Sequence, residues 1–244
     1  MNSSAEQLQV LLRNAGSVAV LTGAGISTAS GIPDFRSAGG VYSDERNVNV
    51  FDLPAFQRDP SIFYRFARRF YPQVRRDAEP NAAHHALAEW QRQGLDVTVI
   101  TQNVDDYHQR AGSDPVYTVH GNFILSTCRD CGSQVETEVL FPIIERGDIP
   151  HCSCGGVYKP NITFFGEMLP EVDWTASVNT ISHADLVLVL GTSLTVYPAA
   201  SLPAYRPAGS KLVIINRDPT SLDADADLVI HDDLCETLSA VSLS

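Results

Sequence analysis

The sequence predicts an α/β fold built on a mostly parallel, doubly wound sheet. Six short runs rich in branched apolar residues recur along the 244 residues, and helical patterns separate most of them. Such alternation is typical of parallel sheets that are covered by helices on both faces. The runs predicted to be strands are residues 18–21, 96–100, 116–119, 186–190, 211–215 and 227–230. Ligands bind such sheets beyond the carboxyl ends of the strands, so the residues that follow each strand are candidates for a binding site.

Helix signals lie between these strands. Ser3 or Ser4 is predicted to cap a first helix at the amino terminus. A second helix is predicted to begin at Pro80 and to run through Trp90. His84 lies on this second helix and is expected to have a structural role, in packing or local hydrogen bonding.

Residues 37–79 contain no strand pattern and are predicted to form a helical insertion over the binding site. The stretch is rich in aromatic residues at helical spacing, which are expected to be mostly core. These residues are Phe51, Phe56, Phe63, Tyr64, Phe66, Phe70 and Tyr71.

The first predicted strand runs directly into the glycine-rich turn TGAG. Gly23 and Gly25 allow a sharp turn and the close approach of a bulky anion. Residues 26–30 are expected to open a helix whose first N–H groups point at that anion. A tight turn without a ligand is the alternative. Phe35 and Arg36 favour a phosphate cradle, because an aromatic ring can cover a flat ligand and a guanidinium can clamp a diphosphate.

Polar groups also follow the other predicted strands. Two amides and a carboxylate lie in residues 101–105, and His120 follows the third strand. A glycine and two hydroxyl residues occupy 191–193 after the fourth strand, and Asn216 follows the fifth strand. A purely structural sheet does not need this mixture at every strand exit, so the sequence predicts one ligand site along this edge.

Four of the five cysteines form two close pairs, and this pattern predicts a metal site. Four thiolates from two hairpins suit tetrahedral zinc, and a site closed by four sulfurs is structural. His151 is an alternative ligand beside the second pair, and reduced thiols or a redox pair are the alternative interpretation. The predicted ligands are Cys128, Cys131, Cys152 and Cys154.

Composition narrows the class of partner. The formal net charge of -12 argues against nucleic acid or an anionic membrane as the main partner and is compatible with basic, lysine-bearing protein segments. No apolar run approaches the length of a membrane span, and the amino terminus lacks the pattern of a signal peptide. We therefore expect a cytoplasmic protein.

The sequence contains a series of short motifs in a fixed order. They are GAGIS at 23–27, GIPDFR at 31–36, TQNVD at 101–105, His120-Gly121, the two cysteine pairs, FGE at 165–167 with Leu169-Pro170, GTSL at 191–194, and Asn216. Taken together and in this order, the motifs resemble those of the sirtuins, which are NAD-dependent protein-lysine deacylases. The resemblance extends from about residue 15 to the end of the chain.

The resemblance implies two domains with the ligands between them. A large Rossmann-like NAD-binding domain would comprise residues 1–38, 80–121 and 171–244. A small domain would consist of a helical module at 39–79 and a zinc-binding lobe at 122–170. NAD, as co-substrate, and the acyl-lysine protein or peptide would meet in the cleft between these domains.

The resemblance also assigns roles to individual residues. The catalytic residues that it implies are His120 and Asn103. The implied cofactor-binding residues are Gly23, Ala24, Gly25, Ile26, Asp34, Phe35, Arg36, Gln102, Asn103, Asp105, Gly191, Thr192, Ser193, Asn216, Arg217 and Cys235. The implied substrate-binding residues are Thr163, Phe165, Gly166, Glu167 and Val196, in segments that would flank the peptide as added strands.

The implied reaction begins with attack of the acyl oxygen on C1′ of the nicotinamide ribose, which releases nicotinamide. Neutral His120 would then act as general base for a ribose hydroxyl, while Asn103 orients the ribose and a water. Free lysine and O-acetyl-ADP-ribose are the implied products. Sirtuins that remove acidic acyl groups carry Tyr-x-x-Arg in the helical insertion. Tyr64 and Arg68 are one residue too far apart for that motif, which favours acetyl or other uncharged groups.

Other function classes remain open at this point. A mono-ADP-ribosyltransferase on the same fold would add ADP-ribose to its protein substrate. An NAD-dependent redox enzyme would produce NADH. A non-catalytic, NAD-sensing zinc module would tolerate the loss of His120.

Overall fold

The computed structural model describes residues 3–35, 39–74 and 78–243. In these ranges the strands are β1 (Val18–Thr22), β2 (Val97–Thr101), β3 (Val116–Thr118), β4 (Gly121–Cys128), β5 (Gln134–Glu136), β6 (Tyr158–Ile162), β7 (Leu186–Leu190), β8 (Lys211–Ile215) and β9 (Leu228–Ile230). The α-helices there are α1 (Ser3–Asn14), α2 (Leu53–Arg58), α3 (Ser61–Pro72), α4 (Ala82–Arg92), α5 (Tyr107–Ala111), α6 (Phe141–Arg146), α7 (Glu171–Ile181) and α8 (Leu234–Ser239). None of the described helices is long and apolar enough to cross a membrane.

The larger sheet confirms the predicted fold class. Its strands are all parallel, in the order β3-β2-β1-β7-β8-β9. The two central strands, β1 and β7, are buried along their whole length. Apolar side chains cover both faces of the sheet in two separate clusters, one against α1, α4 and α8 and the other against α7. The carboxyl ends of β1, β2 and β7 therefore meet at one edge.

Two helices differ from the prediction, one in its type and one in its first residue. Residues 26–30 were expected to open a helix, and the structure has a short 3-10 helix, Ala24–Ser30, that ends at Gly31 in the left-handed conformation. The helix predicted from Pro80 begins at Ala82. Asn81 caps it, because the Asn81 side chain accepts the Ala83 N–H at 3.0 Å, whereas proline offers no such acceptor.

The helix α4 also places His84. Its Nδ1 accepts the backbone N–H of Asn81 at 3.3 Å, so the imidazole completes a capping box. The ring is fully buried, and burial lowers the pKa of His84 to about 3. The structural role predicted for this histidine is confirmed.

A second, smaller sheet lies beside the first one. Its strands β5, β4 and β6 pair antiparallel in that order. Helices α2, α3 and α6 contribute aromatic and aliphatic residues to a third apolar cluster that also includes residues of β4 and β6. The aromatic residues of the predicted helical insertion are buried in this cluster, as expected.

Candidate active site

A cleft of about 370 Å³ lies beyond the carboxyl ends of β1, β2 and β7. Residues from the glycine turn form one wall, and residues that follow β6 form the other. The predicted site residues that line this cleft are Gly23, Ala24, Gly25, Asp34, Phe35, Gln102, Asn103, His120, Thr163, Phe165, Gly166, Glu167, Gly191, Thr192, Ser193, Val196 and Asn216. The structure therefore brings most of the predicted cofactor and substrate residues to one place.

Two glycines hold the cradle together by direct backbone contact. The N–H of Gly25 donates to the carbonyl of Gly191 at 2.8 Å. A Cβ on Gly191 would lie 2.5 Å from the backbone nitrogen of Ile26, and Gly191 has φ of +62°. Only glycine meets both conditions without strain. The turn after β1 and the turn after β7 thus form one surface of exposed backbone, which suits a diphosphate.

The turn after β2 carries two amide side chains that line the cleft. Asn103 donates from Nδ2 to the carbonyl of Gly23 at 3.2 Å and to the hydroxyl of Ser27 at 3.1 Å. Both amide hydrogens are thereby used, so Oδ1 is left to accept a hydrogen bond from a ligand or water. Gln102 donates from Nε2 to the hydroxyl of Thr192 at 3.1 Å, which ties this turn to the turn after β7.

His120 follows β3 and lines the cleft. Its Nδ1 lies 2.9 Å from the carbonyl oxygen of Gln102. A carbonyl can only accept, so Nδ1 carries the proton and Nε2 carries the lone pair in the neutral ring. Burial lowers the pKa of His120 below its ordinary value. The arrangement therefore keeps a neutral imidazole ready to accept a proton at Nε2.

Asp105 lies behind this turn and does not line the cleft. Its carboxylate accepts the hydroxyl of Ser27 at 3.0 Å and the backbone N–H of Tyr107 at 3.2 Å. Burial raises the pKa of Asp105 to about 6. A carboxyl group with this pKa can change charge near neutral pH.

The segment 162–167, here called the peptide segment, forms the opposite wall of the cleft. The N–H of Thr163 donates to the carbonyl of His120 at 2.8 Å. The N–H of Phe165 donates to the carbonyl of Phe51 at 2.7 Å, and its carbonyl accepts the N–H of Leu53 at 3.1 Å. These bonds hold the peptide segment between His120 and the aromatic module, which is the apolar cluster that α2, α3 and α6 share with β4 and β6.

The four predicted metal ligands lie together at the end of the small sheet. Their sulfur atoms are all within 4.8 Å of one another. The Sγ atoms of Cys128 and Cys154 are 3.5 Å apart, and those of Cys131 and Cys152 are 3.7 Å apart. Tetrahedral zinc with Zn–S bonds of about 2.3 Å needs sulfur atoms about 3.8 Å apart, so the cluster fits this ion.

Gly156 supports the same conclusion. A Cβ at this position would lie 2.7 Å from the sulfur of Cys128, so the chain keeps room around the thiols. Backbone groups also point at the thiols, since the N–H of Gly156 lies 3.4 Å from the sulfur of Cys154. His151 does not belong to the cluster within the described residues, and its Nδ1 lies 3.1 Å from the carbonyl of Gly155.

Comparisons with known proteins agree with this geometry. The family model described as "Sir2 family" matches residues 23–198, which is more than half of the chain. The chain belongs to the Sir2 family. Two relatives of this Sir2 chain are called NAD-dependent protein deacetylase. The protein from Cutibacterium acnes is 42% identical over 97% of this chain and 96% of its own length. That from Thermotoga maritima is 44% identical over 93% of this chain and 92% of its own length.

Solved Sir2 structures match as closely. A Sir2 variant solved with deacetylated p53 peptide and 3′-O-acetyl ADP ribose is 41% identical, with a TM-score of 0.92 over 98% of this chain and 97% of that one. A complex of Sir2 with p53 peptide and NAD+ is 42% identical, with a TM-score of 0.87 over 96% of this chain and 95% of that one. The fold of this Sir2 chain is therefore the fold of those complexes.

Some residues predicted for the cofactor lie outside the cleft lining of this Sir2 protein. Ile26 is buried, and its carbonyl accepts the side chain of Asn81 at 2.7 Å. Arg217 is largely exposed and faces Asp233 at 3.8 Å. Cys235, in α8, is half-buried and directs its thiol to the Asn81 side chain at 3.4 Å. Asp105 supports the turn from behind, as described above.

Arg36, predicted to clamp the diphosphate, lies outside the described residues. The cleft is also lined by residues that the sequence did not predict as site residues, among them Tyr42, Tyr197 and Pro198. They lie in irregular or 3-10 segments, where no periodic pattern marks a side chain as facing a ligand.

Proposed function

We propose that this protein is an NAD-dependent protein-lysine deacetylase that releases nicotinamide and transfers the acetyl group to ADP-ribose. The observation that carries the proposal is His120, whose neutral Nε2 faces a cleft bounded by a backbone cradle on one side and the peptide segment on the other. The named Sir2 relatives and complexes support the same activity.

Each group of residues has its own task in the proposed reaction. The backbone of the two glycine turns binds the diphosphate of NAD, which brings the nicotinamide ribose toward His120. Asn103 uses Oδ1 to orient a ribose hydroxyl or a water. His120 accepts the proton of the ribose hydroxyl at Nε2, and its bond to the carbonyl of Gln102 holds the ring in the required tautomer.

Metal at the four cysteines has a structural task in this proposal. Cys128, Cys131, Cys152 and Cys154 would hold one zinc ion and leave no position for a reacting water. When bound, the ion stabilises the hairpins that carry β4 and β6. We also propose a division of the chain into domains, because the two sheets are separate and have their own apolar clusters. The parts are a large domain (1–38, 80–121, 171–244), a helical module (39–79) and a zinc lobe (122–170).

The acyl group of the substrate is proposed to be uncharged. The part of the cleft near the aromatic module is lined by Phe35, Phe51 and Phe164. Tyr64 is buried and donates its hydroxyl to the carbonyl of Tyr158 at 2.5 Å, so it is not free to bind a carboxylate. Acetyl-lysine peptide should therefore outcompete succinyl-lysine peptide, and a preference for the succinyl peptide would contradict this.

We propose that the protein acts in the cytoplasm on protein or peptide substrates, without nucleic acid or membrane as partner. Support comes from the acidic composition and from the cysteines, which form no disulfide among the described residues. These proposals concern the setting of the reaction and not its chemistry.

The test is nicotinamide release that depends on an acetyl-lysine peptide, with products identified by mass spectrometry. Deacetylation predicts loss of the acetyl group from the peptide and the appearance of O-acetyl-ADP-ribose. Addition of ADP-ribose to the peptide would indicate a transferase, and formation of NADH would indicate a redox enzyme. A protein that binds NAD but releases no nicotinamide would contradict the enzymatic proposal.

A further inference from the structure

A lysine is buried directly beneath the peptide segment. Lys159 lies on β6, and its side chain is only 5% exposed. Its ammonium group donates to the carbonyl of Ile162 at 2.7 Å, to a further backbone carbonyl at 3.3 Å and to the carboxylate of Glu167 at 2.8 Å. It also lies 4.0 Å from the centre of the Phe164 ring. All three donors of the ammonium group thus have acceptors, which is what a buried charge requires.

Glu167 was predicted to bind substrate, but its carboxylate already has partners within the protein. It accepts the backbone N–H of Phe164 at 2.8 Å as well as the ammonium of Lys159. Arg129, beside the first cysteine pair, lies 3.5 Å from its other oxygen. The carboxylate therefore closes the turn of the peptide segment from inside, and its link to Arg129 joins that turn to the metal-binding hairpin.

Some backbone groups of the peptide segment remain available for hydrogen bonds with a bound peptide. The N–H groups of Thr163, Phe164 and Phe165 all donate within the protein. Among the described residues, the carbonyl of Thr163 and the N–H of Gly166 have no backbone partner. Both residues line the cleft. These are the groups with which an extended peptide can form main-chain hydrogen bonds.

We propose that Lys159 and Glu167 are positioning residues that hold the peptide segment in the shape that binds the acyl-lysine substrate, an inference that rests on the deacetylase function proposed above. Loss of the ammonium group leaves the buried Ile162 carbonyl without its partner at 2.7 Å and the half-buried Glu167 carboxylate without its nearest cation, which is costly. The segment then relaxes, whereas the NAD cradle, built on β1 and β7, keeps its contacts.

The experiment measures steady-state kinetics of Lys159→Met with an acetyl-lysine peptide. Because binding of the peptide is weakened and the proton-transfer groups are unchanged, we expect KM for the peptide to rise about tenfold or more, with KM for NAD within about twofold of wild type. Lys159→Arg keeps a cation with several donors, so we expect it to return KM for the peptide to within about threefold of wild type.

Lys211→Met is the matched control. Lys211 forms an ion pair with Asp227 at the same distance of 2.8 Å, but its side chain is 54% exposed and lies on the larger sheet away from the cleft. We expect both KM values of this variant to equal those of wild type, because an exposed ion pair contributes little.

Glu167→Gln is a second variant, which tests the same proposal if Lys159→Met does not fold. It keeps the shape of the side chain and removes the charge. We expect it to raise KM for the peptide and to leave KM for NAD unchanged. An equal rise in both KM values, or an unchanged KM for the peptide in a variant that melts at lower temperature, would show a merely structural role. A wild-type protein without peptide-dependent turnover would instead overturn the proposed function and not this inference alone.

Discussion

The strands β7 and β6 show how differently the two sheets are stabilised. β7 has the sequence LVLVL and is buried at every position between two parallel neighbours. β6 has the sequence YKPNI and forms one edge of the small sheet, where a proline can be accommodated. Burial of apolar area stabilises the first sheet without demanding particular side chains. The second sheet depends on a cysteine cluster, a buried ion pair and aromatic packing, so single residues matter more there.

The largest effect is expected at His120, where the two regions meet. His120→Ala removes the only imidazole that lines the described part of the cleft, so turnover should fall about 10²- to 10⁴-fold. NAD binding, which rests on the backbone of the larger sheet, should change little. Formation of O-acetyl-ADP-ribose and calorimetric titration with NAD would measure the two effects. If NAD binding is lost together with turnover, the sheet region is not independent of this residue.

The second-largest effect is expected from removal of the metal, which should destabilise the small sheet and not the larger one. Structural zinc contributes about 10 kcal/mol to the folding of small zinc-binding domains, so a chelator or Cys154→Ser should unfold the small sheet selectively. Hydrogen exchange should then increase in β4 and β6 but not in β1 and β7. Cys235→Ser is the control, because Cys235 lies outside the cysteine cluster. Uniform exchange throughout the chain would show that the regions fold as one unit.

A smaller effect is expected from Gly191→Ala in the larger sheet. The new Cβ would meet the Ile26 nitrogen at 2.5 Å with φ at +62°. We expect the free energy of unfolding to fall by about 2 kcal/mol or more and NAD affinity to fall with it.

Gly209→Ala is the matched control, since φ there is +95° and nothing lies within 4 Å of its Cβ position. We expect Gly209→Ala to lower the free energy of unfolding by only about 1 kcal/mol, which is the cost of placing a side chain in the left-handed conformation. NAD affinity should be unchanged. Equal losses in the two variants, measured by chemical denaturation, would show that the close contact of the two turns has no importance.

The smallest effect is a shift in pH dependence. The proposed base acts as neutral imidazole, and burial lowers the pKa of His120, so the neutral form persists below pH 6.5. The acid limb of kcat/KM should therefore have its midpoint below the ordinary histidine value. NMR titration of the ring, assigned with His120→Ala, would check the same value. A midpoint above 6.5 would indicate that a different group or a protonated imidazole controls the rate.

The sequence predicted the larger sheet well because its strands are continuous apolar runs. Each of the six predicted runs coincides with a strand of the sheet to within about one residue at either end. The residues at strand exits were predicted for the same reason, since parallel strands bring their ends to one edge. The 3-10 helix after β1 was not predicted, because its local sequence carries ordinary helix signals and gives no sign of the contact between Gly25 and Gly191.

Side chains in the small sheet were predicted less completely. The cysteine spacing indicated the metal cluster, but nothing near Lys159 in sequence indicates that its ammonium group is buried against Glu167, eight positions further along the chain. Tyr42 lines the cleft from a short 3-10 turn and Tyr197 from an irregular segment, where neither the α-helical nor the strand period applies. Contacts that depend on how two segments meet in space leave no local pattern.

The hydrogen bond from Thr163 to the carbonyl of His120 has a consequence for fidelity. The wall that seats the substrate is thereby anchored to the backbone beside the proposed base. The position of a bound peptide along this wall then sets how far its acyl-lysine reaches toward His120. One contact therefore decides both how well a substrate is seated and how well its reacting group is aligned, without a separate device for proofreading.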